Sequence, residues 1–354
     1  MAFLGIGMTA AIAQLALDVG PTTFATSSVN FRTLRELPMP LNVLSLFSGI
    51  GAFEWSAKKL GLNILASAEI DEYASSVLSH HYKSPNLGDV RKINGYDLRG
   101  DVDVIVGGSP CQNFSQNATA VGASATGLRG RDSQLLMEQI RIAYECEAKV
   151  FVWENVLGAL TGKGKADLAF IFGLLWECGY SIAYRVLYAP DFGLPQARKR
   201  LFVVGFLGRD ANGPSRILAL NQSHGRIGPT DHPKYRAKPV NEVIGSGVFA
   251  FNASRSFNST MFELCPTLLA SKSKKRHEST GANMAIWRNG EFRRIGFREK
   301  LRLQGFPDNY FDIPALPDNL NRFKHQMAAL SIPVPFCDFV LQGIQREFEN
   351  SSAA

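Results

Sequence analysis

Cysteine is scarce and scattered. The 354 residues contain five (Cys111, Cys146, Cys178, Cys265, Cys337), an odd number without Cys-x-x-Cys spacing. That argues against a disulfide framework or a structural zinc site, and for a reducing, cytoplasmic compartment. No metal-ligand cluster of His and Cys stands out. No apolar run reaches the roughly 18 residues that a membrane span needs, so no membrane partner is expected. The first 17 residues are largely apolar but lack the basic start of a secretory signal. Residues 1–38 are expected to be a poorly ordered extension, with Met8 and Met39 as alternative starts. Repeats and low-complexity tracts are absent. Charged residues make up only 19% against 45% hydrophobic, which excludes wholesale disorder.

What charge there is falls unevenly. The net charge is +7. Between Ser271 and Arg302 stand ten Lys or Arg against Glu278, Glu291 and Glu299, a local excess of seven. Such clustering suits a polyanionic partner; a solvated surface face is the competing reading.

From about residue 41, short apolar runs alternate with longer amphipathic stretches. Strands are expected at 42–47, 63–70, 102–108 and 149–155, with helices at 52–60, 72–81, 133–148 and 166–178. Residues 181–189 and 200–207 read as an antiparallel pair. Continuous apolar strands alternating with helices predict an α/β fold: a Rossmann-like, mostly parallel sheet with helices on both faces. Residues 39–207 form that first domain. The stretch 208–290 is polar and weakly periodic, and is expected to form a small loop-rich domain. Residues 291–354 regain helical periodicity, notably at 298–303 and 336–348, and are expected to return to the first domain.

Several residue groups fall where open α/β sheets place their ligands, at the carboxyl ends of strands. Phe47-Ser48-Gly49-Ile50-Gly51 joins the first strand to the first helix, where glycines permit close backbone approach. Glu69 ends the second strand, placed to accept from ribose hydroxyls, and Asp89 is placed to accept from an adenine amino group. Cys111 follows the third strand and opens a polar loop, Gln112–Gly130, that is no environment for a core cysteine; a thiolate there can act as a nucleophile. Glu154 ends the next strand. Arg198 and Arg200 occupy alternate positions entering a strand, so both face one way.

These stretches resemble, in order, the motifs of the DNA (cytosine-5)-methyltransferases of bacterial and phage type. The matching segments are LSLFSGIGAF (44–53), AEID (68–71), GDV (88–90), GGSPCQNFS (107–115), WENV (153–156), FGLPQARKRLFVVGF (192–206) and REKLRLQGFPD (298–308). The resemblance makes 208–290 the target-recognition region, with Pro266-Thr267-Leu268 similar to its Thr-Leu signature. It implies methyl transfer from S-adenosylmethionine to carbon 5 of a cytosine flipped out of double-stranded DNA. Cys111 would attack carbon 6, Glu154 would hold or protonate ring nitrogen 3, Arg198 would contact the base carbonyl, and Arg200 would orient the site. Phe47, Gly49, Gly51, Glu69, Asp89, Val90, Pro110, Leu135 and Ser331 would line the cofactor site. A monomer, nucleoid-associated and with or without a cognate restriction endonuclease, is the implied setting.

Two alternatives stand beside this reading. The family's transfer-RNA branch is similar in scaffold but carries PPCQPFT and a Cys-Phe-Thr motif, whereas this chain has SPCQNFS and no Cys-Phe-Thr. A catalytically weak DNA-binding relative is suggested by one departure. The family's Gly-Asn before Ser/Ala-Val/Ile-Pro is replaced by Ala329-Leu330, ahead of Ser331-Ile332-Pro333. An active enzyme with a raised Michaelis constant for the cofactor is the expectation.

Overall fold

The computed structural model describes residues 40–110, 131–161, 164–208, 210–219, 248–251, 257–262, 264–268, 284–288, 291–314, 316–317 and 320–353. The expected N-terminal extension, Cys111 and its loop, and most of the recognition region lie outside them.

In chain order the first part comprises β1 (Asn42–Leu46), α1 (Ala52–Lys59), β2 (Asn63–Ala68), α2 (Glu72–His81), β3 (Val104–Gly107), α3 (Arg131–Cys146), β4 (Val150–Asn155), α4 (Gly164–Glu177), β5 (Tyr180–Tyr188), β6 (Gln196–Ala197), β7 (Lys199–Leu207) and α5 (Gly213–Ile217). There follow β8 (Val248–Phe251), β9 (Phe257–Phe262), β10 (Cys265–Pro266), β11 (Met284–Arg288), β12 (Glu291–Arg294), α6 (Phe297–Gln304), α7 (Asn321–Leu330) and α8 (Val334–Ala353).

Six strands form one sheet in the order β2-β1-β3-β4-β7-β5. β1 pairs in parallel with β2 and β3, and β3 with β4. β7 runs antiparallel to both β4 and β5. The fold is thus the expected mostly parallel, Rossmann-like α/β architecture. Its strands are apolar on both faces because both faces are covered. Along β4, Val150 and Val152 enter one core cluster with α1 and α8, while Phe151 and Trp153 enter the other with α3 and α4. β7 splits the same way, with Phe202, Val204 and Phe206 on the first face and Leu201 and Val203 on the second. Each such fully buried side chain stabilises the fold by about 1.5–3 kcal/mol.

The stretch expected to be a loop-rich domain holds more order than its weak periodicity suggests. β8, β9, β11 and β12 form a four-stranded sheet, order β12-β11-β8-β9. β11 pairs antiparallel with β12 from Ala285↔Arg294 to Arg288↔Glu291, so a boundary at residue 290 cuts a hairpin. Helix α7 likewise goes beyond the expected elements. Its NRFKHQMAAL sequence buries only Phe323, Ala328 and Ala329, too sparse a stripe to read as helical periodicity.

Candidate active site

The turn after β1 is tightly shaped. Phe47 holds φ at 54°, a left-handed value rare for a large residue, and Gly49 and Gly51 follow at 55° and 86°. A Cβ on Gly51 would lie 2.9 Å from both Leu78 Cδ2 and Tyr82 Cε2, so only glycine fits. Gly51 caps α1 without any side-chain hydrogen bond to the helix amides. From the neighbouring strand end, Glu69 Oε2 accepts from the Gly49 amide at 2.7 Å, and its Oε1 accepts from the amides of Ile70 and Asp71 at 2.9 and 2.8 Å. The carboxylate is thereby fixed between the two strand ends, with the apolar side chain of Ile70 75% exposed beside it.

Sequence reasoning missed two residues here. Asn86 accepts from the amides of Glu69 and Gly88 and donates to the Glu69 carbonyl, joining the acidic strand end to Gly88-Asp89-Val90. Its only sequence signal is an Asn two residues before that glycine. Glu54, on the inner face of α1, is 1% exposed and accepts from the Ser67 hydroxyl at 3.0 Å. Burial raises its pKa, against opposing hydrogen bonds from nearby serines. An acid near the start of a helix reads as solvent-facing, which hid it. Asp89 caps a short turn and is held by Arg91, whose Nε donates at 2.9 Å and Nη2 at 2.6 Å. The guanidinium beside it lowers its pKa to about 2. Val90 is buried in the second core cluster, with Leu135 packed at its edge.

At the end of β3 the backbone enters a confined space. A Cβ on Gly108 would lie 3.0 Å from Glu154 Oε2 and 3.2 Å from Ile332 Cδ1. Ser109 receives the Trp153 indole N–H on its hydroxyl at 2.9 Å and the Asn155 amide on its carbonyl at 3.5 Å. Trp153-Glu154-Asn155 therefore clamps the strand end that delivers Pro110 and, next in the chain, Cys111. Glu154 lies opposite Phe202 in the β4–β7 register, and Arg200, on the same face, meets it diagonally, Nε to Oε1 at 3.0 Å. Burial raises the Glu154 pKa, an effect that Arg200 and then Arg198 oppose.

The two arginines have different surroundings. Arg200, expected to orient the site, is the one paired with Glu154. Arg198, expected at the base carbonyl, is 1% exposed. It donates to the carbonyls of Leu268, Ala329, Leu330 and Ser331 at 3.0–3.5 Å. A cation among the last carbonyls of α7 satisfies acceptors that the helix leaves unpaired. Gln196, fully buried, donates to the Leu303 carbonyl and accepts from the Leu268 amide, while Gln304 donates to the carbonyls of Ala328, Ala329 and Ser331. The Gln-x-Arg segment is a clamp between the Thr-Leu signature and the C-terminal helices. Ser331 thus enters this clamp by its carbonyl, Ala329 is buried, and Leu330 is 52% exposed.

Residues 41–246 match the family described as C-5 cytosine-specific DNA methylase. The chain belongs to this family. It is 28% identical over 342 residues to the Type II methyltransferase M.NgoPII of Neisseria gonorrhoeae, covering 88% of this chain and 97% of that one. Over 170 residues it is 36% identical to the orphan methyltransferase M.SPRI of Bacillus phage SPR, covering 47% of this chain and 37% of that one. Among solved structures, the Dnmt2 methyltransferase of S. pombe has a TM-score of 0.61 at 16% identity, over 86% of this chain and 98% of that one. A putative DNA modification methyltransferase encoded within an E. coli prophage has a TM-score of 0.57 at 20% identity, over 87% and 99%. At those identities the structural likeness concerns the fold alone.

In the basic stretch 271–302, expected to suit a polyanion, three of the six described basic residues have acidic partners. Arg293 pairs with Glu299 at 2.5 Å, Arg298 with Asp312 at 2.9 Å, and Arg302 with Asp308. Lys300 is 1% exposed, and burial lowers its pKa to about 8. Two of these acids lie just beyond Arg302, outside the basic stretch itself. Lys272, Lys274, Lys275 and Arg276 lie outside the described residues.

Proposed function

We propose that this methyltransferase transfers a methyl group from S-adenosylmethionine to carbon 5 of a cytosine flipped from double-stranded DNA, through a covalent adduct with Cys111. The observation that carries the reading is the convergence of Glu154, Arg200, Gly108 and the clamped Ser109-Pro110 on one sheet edge, with Cys111 next in the chain.

The cofactor fits the turn beside that edge. Glu69 is fixed where ribose hydroxyls can share its remaining lone pairs, and exposed Ile70 offers an apolar surface for an adenine ring. Phe47, Gly49 and Gly51 shape the turn, and Val90, Pro110 and Leu135 border it. Asp89 can take an adenine amino group only in competition with Arg91. S-adenosylmethionine supplies the transferable methyl group. Cys111 forms the bond to ring carbon 6, and Glu154, whose burial favours its protonated form, supports ring nitrogen 3 as charge develops. Arg200, held against Glu154, takes the base-carbonyl role in place of Arg198. Loss of the carbon 5 proton to solvent and cleavage of the carbon 6–sulfur bond then release Cys111 as the thiolate.

The relatives' Type II naming supports a partnership with a restriction endonuclease, and the phage orphan supports solitary action equally. The protein acts as a monomer in the cytoplasm, on the nucleoid. Duplex DNA carrying 5-fluorocytosine tests the mechanism, because fluorine cannot leave as a proton does. The wild type should form a denaturant-resistant adduct and Cys111→Ala none; an adduct with Cys111→Ala refutes the assignment.

A further inference from the structure

Beneath the β1–α1 turn lies a buried pair of tyrosine hydroxyls that the proposed chemistry leaves unused. Tyr310, on the segment after α6, donates its hydroxyl proton to the Ile50 carbonyl at 2.5 Å. Tyr82, at the end of α2, places its hydroxyl 3.2 Å from the Gly51 carbonyl and 3.1 Å from Tyr310 Oη. The two rings come from distant parts of the chain, 228 residues apart. Tyr310 is itself held rigidly. His81 stacks on it at 4.1 Å with its Nε2 2.9 Å from the Tyr310 carbonyl, and Trp55 meets it edge-on at 5.3 Å.

We propose that Tyr310 and Tyr82 are positioning residues of the cofactor site, fixing the carbonyls of Ile50 and Gly51 so that the turn keeps the one backbone shape that the ligand meets. The physical link is the planarity of the peptide unit: a carbonyl and the following N–H share one plane. Holding the Ile50 carbonyl sets the Gly51 amide, which donates to the Ser48 carbonyl at 2.9 Å and closes the turn. Holding the Gly51 carbonyl, which also accepts from the Trp55 amide at 2.9 Å, sets the plane of the Ala52 amide, the first of α1. Gly49 and Gly51, at φ 55° and 86°, are glycines whose backbone a free chain samples widely, so side-chain anchors select this one state. Burial keeps both phenols protonated and therefore able to donate. The segment carrying Tyr310 directly follows α6, so the chain beyond the recognition region completes the cofactor turn from below.

This rests on the cofactor reading above, and the experiment separates the two. Calorimetric binding of S-adenosylhomocysteine to the wild-type protein comes first; no binding defeats the cofactor reading itself. Given binding, Tyr310→Phe, which keeps ring shape and removes only the hydroxyl, should weaken the dissociation constant by about three- to tenfold. Turnover at saturating S-adenosylmethionine should stay within about twofold of wild type, since the hydroxyl touches no reacting atom. Tyr82→Phe should act in the same direction. Because the hydroxyls form one chain, the double variant should lose less than the product of the single effects. A melting temperature that falls in the single variants while the dissociation constant stays unchanged overturns the proposal, as does a loss confined to turnover or two effects that multiply fully.

Discussion

Arg198 and Arg200 stand two positions apart in one motif, yet their surroundings give them opposite tasks. Arg200 faces Glu154 at the sheet edge, so Arg200→Ala should lower turnover by about 10²–10³-fold, as for loss of one preorganised donor, with little change in melting temperature. Arg198 holds the end of α7 to Leu268. Arg198→Ala removes the Arg198 donor from the buried Leu268 carbonyl and one of two donors from those of Ala329 and Ser331, and should cost about 1–3 kcal/mol in urea unfolding. Reversed outcomes would restore the sequence-based assignment. Spacing led to the expectation that both arginines face one way, because alternation along a strand is local; it is silent on what the far end of the chain places opposite them. Glu54 offers a second test. Its buried carboxyl keeps its proton to higher pH than in the unfolded chain, so the native state binds more protons there and stability falls as pH rises through that range. Glu54→Gln removes this dependence. The variant's melting temperature should gain on wild type as pH rises from the ordinary carboxylate range through the raised one; a constant difference would show that Glu54 titrates normally.

At the scale of elements, strands were legible where burial on both faces made them continuously apolar, as in β1, β3, β4 and β7. The four-stranded sheet was not legible, because β8 and β11 are short and pair across long intervening segments. The basic stretch divides along the same line. Arg293, Arg298 and Arg302 have acidic partners, so the salt dependence of DNA binding should rest on Lys274, Lys275 and Arg276. Replacing these three with Ala should flatten the log–log salt slope by up to about three units with little change in site preference. An unaltered slope would make that cluster a solvated face. The end of α7 carries the Ala329-Leu330 departure. Restoring Gly and Asn should lower the Michaelis constant for S-adenosylmethionine by roughly two- to twelvefold, the range of one hydrogen bond, with kcat nearly unchanged. A native chain silent at saturating cofactor, with an active restored variant, would favour the weak-relative reading.

Across the described residues, Phe47, Glu69, Gly108 and Glu154 lie at the carboxyl ends of β1, β2, β3 and β4, which the parallel strands deliver to one sheet edge. β7, reversed between β4 and β5, brings Arg200 to the same edge from its amino end, and the C-terminal helices close over it through Gln196, Arg198 and Gln304. The order of motifs in the chain disclosed the family and the sheet. The clamp depends on side chain-to-carbonyl contacts over 70–133 residues of separation, which no local pattern encodes. The central claim is methylation of DNA cytosine at carbon 5 by way of Cys111. Bisulfite sequencing of plasmid DNA from methylation-deficient cells expressing the chain tests it most directly, since it reads every cytosine whatever the target sequence. The account predicts protected cytosines within one recurring short sequence for the wild type and none for Cys111→Ala. Unprotected DNA from wild-type cells, or protection that survives Cys111→Ala, would contradict it.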